Sequence, residues 1–266
     1  DDYPISNLLE HRGQRISVEV IATFLPREVV DSLYTTMHKT GLEVASLTLE
    51  PIAAMNAAIP QKLRLLNLAL VDIGAGTSDI AISKDGGVVG YTMATIAGDE
   101  ITEAIMKKYL VDFTTAEDIK MKMSGESEIS FKDILGLEHT VTPEEVKQET
   151  EPVKRILCKE ICDRITEANG GAPSAVFLVG GGSKLPGLCE CVSEYLKLPA
   201  SRVAIGGNNF LMHVSSSDED VTGPEFATPL GIAVSAALNL INDSFSIRLN
   251  GSRAKLFRSG KLTILD

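Results

Sequence analysis

No excess of basic residues marks this chain. Its 25 lysines and arginines stand against 36 aspartates and glutamates, a formal net charge of −11. Nucleic-acid binders ordinarily carry a basic surface, so this balance argues against one. Long apolar runs are missing as well; none reaches the ~18 residues that suggest a membrane span. The opening DDYPISNLLEHRG lacks the basic-then-apolar order of a secretory signal. Cysteine is sparse and crowded: Cys158, Cys162, Cys189 and Cys191 offer no disulfide framework, and the expectation is a cytoplasmic protein with reduced thiols. Neither pair has the usual Cys-x-x-Cys spacing of a zinc or iron–sulfur site. Cys158 and Cys162 are four apart, on one helix face, where cysteine commonly serves as a small core residue. His11, His38, His139 and His213 are scattered and form no ligand pattern. No internal repeat is present.

What remains is an ordinary globular composition, 44% hydrophobic and 23% charged over 266 residues, enough for one large domain or two smaller ones. RISVEVIATFLP (Arg15–Pro26) alternates as a half-buried strand does. PREVVDSLYTTMHKTG then reads as a helix, with Pro26 at its first turn and Gly41 at its stop. Glu43–Glu50 reads as a strand and PIAAMNAAI as a short helix. Leu68–Ile73, Thr77–Ser83 and Val88–Ile96 read as three strands joined by tight turns, one at Asp85-Gly86-Gly87. GDEITEAIMKKYLVDF is an amphipathic helix with acids early and lysines late, as the helix dipole favours.

Thr114 to about Gln148 is charged and interrupted, and reads as a small α+β insertion. Pro143–Asn169 is a long helix. SAVFLVGGG is a buried strand ending in glycines, followed by a helix that starts near Ser183, and RVAI is a short strand. VSSSDEDVTGPE is a solvated loop. FATPLGIAVSAALNLI is so apolar that burial against a sheet is expected. The last stretch alternates and contains Asn250-Gly251, a hairpin signal.

Two glycine-rich turns carry the chemistry. In VDIGAGTSDIAI a turn of small residues joins two strands. Such a turn lets backbone amides approach an anion, and Thr77 adds a hydroxyl. Asp72 ends the first strand, where it can orient a magnesium-bound water. The bland alternative is a hairpin with a small-residue turn. FLVGGGSKLPGL offers a second anion site at a helix start, or a loop that merely needs positive φ. Glu50, directly before a helix, can place metal or water, or simply open the helix.

In this order and spacing the three segments resemble the actin-like ATPases, the superfamily of actin, DnaK-type chaperones and sugar kinases. VDIGAGTSD is similar to that superfamily's second phosphate motif, LEPIAA to the connecting helix of its chaperone branch, and LVGGGSKLPGL to the superfamily's adenosine motif. GDEIT, at Gly98–Thr102, sits where the family has a Gly-acid pair opening a helix near the nucleotide. FLPREVVDSLYTTMHKTGLEVASLTLEP, VDIGAGTSDIAI and AEDIKMKMS together resemble the FtsA branch and its pilus-assembly relative PilM. The resemblance covers roughly Ile16 to Leu240.

This resemblance implies an α/β fold: a ribonuclease-H-like lobe with a mixed sheet, flanking helices and a small α+β insertion. It implies ATP and Mg as cofactors. Glu50 and Asp72 would be catalytic, Asp72 acting on Mg through water. Gly74, Ala75, Gly76 and Thr77 would hold the outer phosphates, and Gly98 would pack against the nucleotide. Gly180, Gly181, Gly182 and Ser183 would face the α-phosphate and adenosine. Glu151 and Lys154 fall where chaperone-type members set an acid and a lysine against ribose and adenine; on this charged helix a solvated face is the competing reading.

Residues 1–60 would end a first lobe and include the connecting helix. Residues 61–242 would form the second lobe, with an insertion at about 114–150. Residues 243–266 would begin a β-rich extension. The superfamily's first phosphate hairpin, Asp-x-Gly-Thr, is not found, so the expectation is a fragment that hydrolyses ATP negligibly by itself. The function implied is an FtsA-type ATPase serving as a bacterial division or cytoskeletal scaffold, self-associating into filaments or dimers and meeting division proteins. Alternatives are a PilM-type pilus or secretion scaffold binding a partner peptide, a DnaK-like chaperone, or a metabolite kinase.

Overall fold

A computed structural model of the protein describes residues 17–19, 24–206, 223–241, 254–256 and 261–264. The chain divides into two compact units, Asp1–Ser46 with Ser244–Asp266, and Leu47–Asp243. In the first unit, β1 (Ser17–Glu19), β9 (Ala254–Leu256) and β10 (Lys261–Ile264) form an antiparallel sheet in the order β1–β10–β9. Helix α1 (Arg27–Lys39) follows Pro26, with Glu28 in its first turn and His38 and Lys39 in its last. That charge order complements the helix dipole.

The second unit is built on a five-stranded mixed sheet. Its strands are β2 (Leu68–Ile73), β3 (Ser78–Lys84), β4 (Gly87–Ala94), β7 (Ala175–Val179) and β8 (Val203–Ile205). The order is β4–β3–β2–β7–β8, antiparallel through β4–β3–β2 and parallel through β2–β7–β8. The three strands expected from Leu68 to Ile96 are therefore present and adjacent, and the strands expected at SAVFLV and RVAI continue the sheet in parallel.

Strand β2 is central and apolar on both faces, as a strand covered on both sides must be. Leu68 and Leu70 pack with Ala54, Met55, Ala58 and Ile59, contributed by α2 (Glu50–Ala58) and the residue after it. Ala69, Val71 and Ile73 turn the other way, onto Leu157, Ile161 and Ile165 of α5 (Pro143–Asn169) and Leu188 and Val192 of α6 (Leu188–Leu196). Cys158, Cys162 and Cys191 are buried in that second layer. The two-residue period has a functional consequence. Asp72 follows Leu68 and Leu70 in phase, so it faces the α2 side, and register sets it directly opposite Asp79.

A third apolar cluster joins α3 (Gly98–Tyr109), α4 (Phe113–Lys122), the hairpin of β5 (Ile129–Lys132) with β6 (Glu138–Val141), and the start of α5. Ile101, Ile105, Ile119, Ile129 and Val146 fill it. Helix α5 opens with a capping box: Thr142 Oγ1 accepts from the Glu145 amide at 3.3 Å while the Thr142 amide donates to Glu145 Oε2 at 2.7 Å.

Several expectations need correction. Glu43–Leu49 forms no strand; a strand needs a ladder partner, and this stretch has none among the described residues. Glu50 is accordingly the first residue of α2 and not a strand end. The helix expected from Gly98 to Phe113 ends at Tyr109, and a second helix starts at Phe113. Leu110 adopts φ 52°, which ends α3, and Asp112 then accepts from the Thr115 amide at 3.0 Å to cap α4. No helix starts near Ser183: Gly181–Lys184 is a 3-10 turn, and α6 begins only after Gly187 at φ 76°. Helix α7 (Ala227–Ile241) packs chiefly on α2 through Ala227 and Gly231, with Ile232 48% exposed. Its apolar composition is thus only partly spent on burial. The expected loop VSSSDEDVTGPE falls, up to residue 222, outside the described residues, as does Asn250-Gly251.

Candidate functional site

The two glycine turns border one cleft. The strands they follow, β2 and β7, are parallel neighbours, so both chain reversals occur at the same edge of the sheet. A cleft of about 530 Å³ is lined there by Gly74, Ala75, Gly98, Gly181 and Gly182, among others.

The first turn is tied to α3. The Gly98 amide donates to the Gly74 carbonyl at 3.1 Å and the Asp99 amide to the Ala75 carbonyl at 2.8 Å. The turn closes on itself through the Gly74 amide and the Thr77 carbonyl at 2.9 Å. The amides of Ala75 and Gly76 make no hydrogen bond to another described residue. A Cβ added at Gly76 would meet nothing within 4 Å. Thr77 donates to Asp79 Oδ2 at 3.4 Å, a weak bond.

The second turn is packed hard against β2. Gly180 has φ 81° and ψ 165°, a backbone region that belongs to glycine. A Cβ there would overlap Asp72 Oδ1 and the Ile73 carbonyl, and one at Gly182 would overlap the Ile73 side chain. The Gly180 amide donates to the Pro224 carbonyl at 2.9 Å, and Ser183 Oγ donates back to the Gly180 carbonyl at 2.7 Å. The hydroxyl proton of Ser183 is therefore engaged inside the loop.

Three carboxylates gather on the α2 side of the sheet. Burial raises the pKa of Asp72, and the Thr228 hydroxyl, donating to Oδ2 at 2.6 Å, opposes that rise. Asp79 is raised by burial and then by the Asp72 charge, against the pull of Thr77. Glu50 is raised by burial, then by Asp79 and Asp72. Among the described residues no three of His, Cys, Asp and Glu come close enough to hold a metal ion. This donor set suits contact through water, which Mg²⁺ retains readily, and not a direct protein cage.

Of the residues expected at the site, Gly74, Ala75, Gly98, Gly181 and Gly182 line the cleft, while Glu50, Asp72, Gly76, Thr77, Gly180, Ser183, Glu151 and Lys154 do not. Lys154 Nζ pairs with Glu151 at 2.5 Å and donates to the Pro186 carbonyl at 3.2 Å, fastening α5 to the loop before α6. A different acid and lysine stand at the cleft. Lys120 Nζ, on α4, meets Glu117 at 2.7 Å, Thr102 Oγ1 at 2.9 Å and the Gly98 carbonyl at 3.2 Å. Both Glu117 and Lys120 line the cavity, as do Lys184 and Glu225, paired at 2.7 Å. Glu117 and Lys120 fall within AEDIKMKMS, a stretch that signalled kinship but no site role. Thr228 gave no sequence signal, since its partner is 156 residues away.

The family model for the cell division protein FtsA matches residues 69–231, which hold the sheet and both turns. The chain belongs to the FtsA family. It is 24% identical over 241 residues to FtsA of Bacillus subtilis strain 168, covering 85% of this chain and 51% of that protein. Against FtsA of Pseudomonas aeruginosa the identity is 25%, over 94% of this chain and 63% of the relative. This FtsA-family chain thus spans between half and two thirds of the length of those relatives. Among solved structures, MreB5 of Spiroplasma citri bound to ADP superposes with a TM-score of 0.60 at 20% identity, covering 83% of this chain and 69% of that one. The PilM–PilN type IV pilus biogenesis complex gives 0.59 at 22% identity, covering 79% and 58%. The fold is that of the actin-like ATPases. No helix among the described residues is long and apolar enough to cross a membrane.

Proposed function

We propose that this chain carries the nucleotide-holding second lobe of an FtsA-type actin-like protein, a cytoplasmic scaffold in bacterial cell division that binds Mg-ATP. One observation carries the reading: two glycine turns and the start of α3 border one cleft, and the first of those turns follows a half-buried strand-end carboxylate. The amides of Ala75 and Gly76, without a partner among the described residues, suit an anion, and open space at Gly76 suits its approach. Lys120 supplies a cation to the cleft wall. Gly74–Thr77 would hold the outer phosphates, Gly180–Ser183 the inner part of the nucleotide, and Gly98 the near wall. Mg²⁺, when bound, offsets phosphate charge and orders water. Asp72 would orient such water from the strand end, and Glu50 would bias its direction from the first turn of α2. On this reading residues 1–60 close a first lobe and residues 243–266 begin an extension, with self-association as the working state. The PilM and MreB likenesses lie below 25% identity, so they support the fold and not a pilus role.

Calorimetry with ADP and Mg²⁺ tests this, on the chain and on a longer version that includes the upstream sequence. The longer version is expected to bind, and Lys120→Ala to lower its affinity about ten-fold, the scale of one charged hydrogen bond. Absence of binding by the longer version overturns the nucleotide reading.

A further inference from the structure

We propose that Thr228 is a positioning residue for Asp72, holding the strand-end carboxylate in one orientation at the end of β2. The proposal rests on the nucleotide reading for its purpose but on geometry for its substance. The Thr228 hydroxyl donates to Asp72 Oδ2 at 2.6 Å. The other oxygen, Oδ1, lies against the backbone of Gly180, where a Cβ would overlap it. One oxygen is held by a donor and the other is set against a glycine, so the plane of the carboxylate is defined from both sides. A hydroxyl–carboxylate bond of this length is charge-assisted, among the stronger kinds.

Contacts other than the Thr228 hydroxyl also hold its segment in place. The Pro224 carbonyl accepts from Gly180 at 2.9 Å, and Glu225 pairs with Lys184 at 2.7 Å. Gly231 lies flush on the Ala53 backbone, with no room for a side chain, and Asn56 Nδ2 donates to Ser235 Oγ at 2.8 Å. Four contacts besides the threonine hydroxyl therefore deliver the first turn of α7 to the end of β2. The hydroxyl is left with a task that these contacts do not share. Removing it leaves Asp72 half-buried with no side-chain donor among the described residues, which frees the carboxylate to rotate or draw in water.

The test compares the unmodified chain with Thr228→Val, which keeps the shape and loses the donor, and Thr228→Ser, which keeps the donor. In the apo chain, a slowly exchanging Thr228 hydroxyl proton is expected by NMR, present in the unmodified chain, retained as a serine hydroxyl signal in Thr228→Ser and lost in Asp72→Ala, which removes the acceptor. Calorimetry with ADP, with and without Mg²⁺, is the second readout. Thr228→Val is expected to keep Mg-free affinity within about two-fold and to lose about ten-fold in the gain that Mg²⁺ brings, with Thr228→Ser restoring it. Equal losses with and without Mg²⁺, unrescued by serine and accompanied by a lower melting temperature, would make the threonine merely structural. A rapidly exchanging hydroxyl in the unmodified chain overturns the proposal whatever binds. A protected hydroxyl in a chain that binds no ADP leaves Asp72 positioned and removes the nucleotide reading instead.

Discussion

At Gly180 and Gly182 the end of β2 leaves no room for a side chain, whereas at Gly76 an added Cβ meets nothing within 4 Å. Both turns border one cleft, yet the fold does not demand at Gly76 the glycine that it demands at Gly180 and Gly182. The loop after β7 carries glycine because Asp72 and Ile73 press on it and because Gly180 sits at φ 81°. The turn after β2 carries glycine at a position where neither packing nor backbone angle asks for it. What it leaves open is approach to backbone amides. The comparison separates glycines that build the site from glycines that keep it accessible.

The largest expected effect therefore belongs to Gly180→Ala. The backbone region costs a side chain about 1–3 kcal/mol, and the overlap with Asp72 and Ile73 adds to it, so a loss of roughly 3 kcal/mol or more is expected. Chemical denaturation reads it directly. A loss below about 1 kcal/mol would mean that the end of β2 yields, and the contrast between the turns would fall.

Asp72→Asn comes next, with the opposite sign. Burial raises the pKa of Asp72 in the folded chain above its ordinary value of 3.8. The native state then binds that proton more readily than the unfolded chain does. Stability from this group falls as pH rises from the unfolded value through the raised one, and at neutral pH the full cost is present. Asparagine keeps an oxygen for Thr228 and removes the charge that raises Asp79 and Glu50. A gain of about 0.5–2 kcal/mol at pH 7 is expected, the usual scale of a compromise made at a functional site. It should shrink as the medium is acidified toward the unfolded value. A gain that persists undiminished in acid would assign the effect to packing.

Much of the fold was legible because its signals are local. Leu68–Ile96 shows three apolar stretches and two tight turns, and β7 ends in glycines; periodicity and turn chemistry suffice for both. Leu110 and Lys197 were not legible, since each takes a left-handed angle without glycine to announce it. Helix α7 looked fully buried because apolar residues need not all lie inside. The site divides in the same way. Its glycines and Asp72 stand out in one short stretch each. Lys120, Glu117 and Thr102 converge only when α4 folds back on α3, and Thr228 reaches Asp72 from the far end of the unit. The assignment of Glu151 and Lys154 rests on a short family likeness, and in the fold they pair with each other and fasten α5 to the loop before α6.

Gly76→Ala is the smallest perturbation of the fold and the sharpest probe of the comparison. Gly76 is exposed, its φ lies outside the left-handed region, and no described atom stands where the methyl would go. Alanine also narrows the unfolded ensemble, so stability is expected to stay level or rise by about 0.4–1 kcal/mol. Binding should behave differently. A methyl at the tip of the turn stands between an incoming anion and the amides of Ala75 and Gly76, and a phosphate held by them loses contact when it is displaced. In the longer version, Mg-ADP affinity is expected to fall about ten-fold while the melting temperature holds, the reverse of what Gly180→Ala does. If both properties fall together, Gly76 is as structural as Gly180 and the distinction between the two turns disappears. If neither changes, the open space at Gly76 belongs to solvent, and the phosphates must be sought deeper in the cleft, toward Gly98 and Lys120.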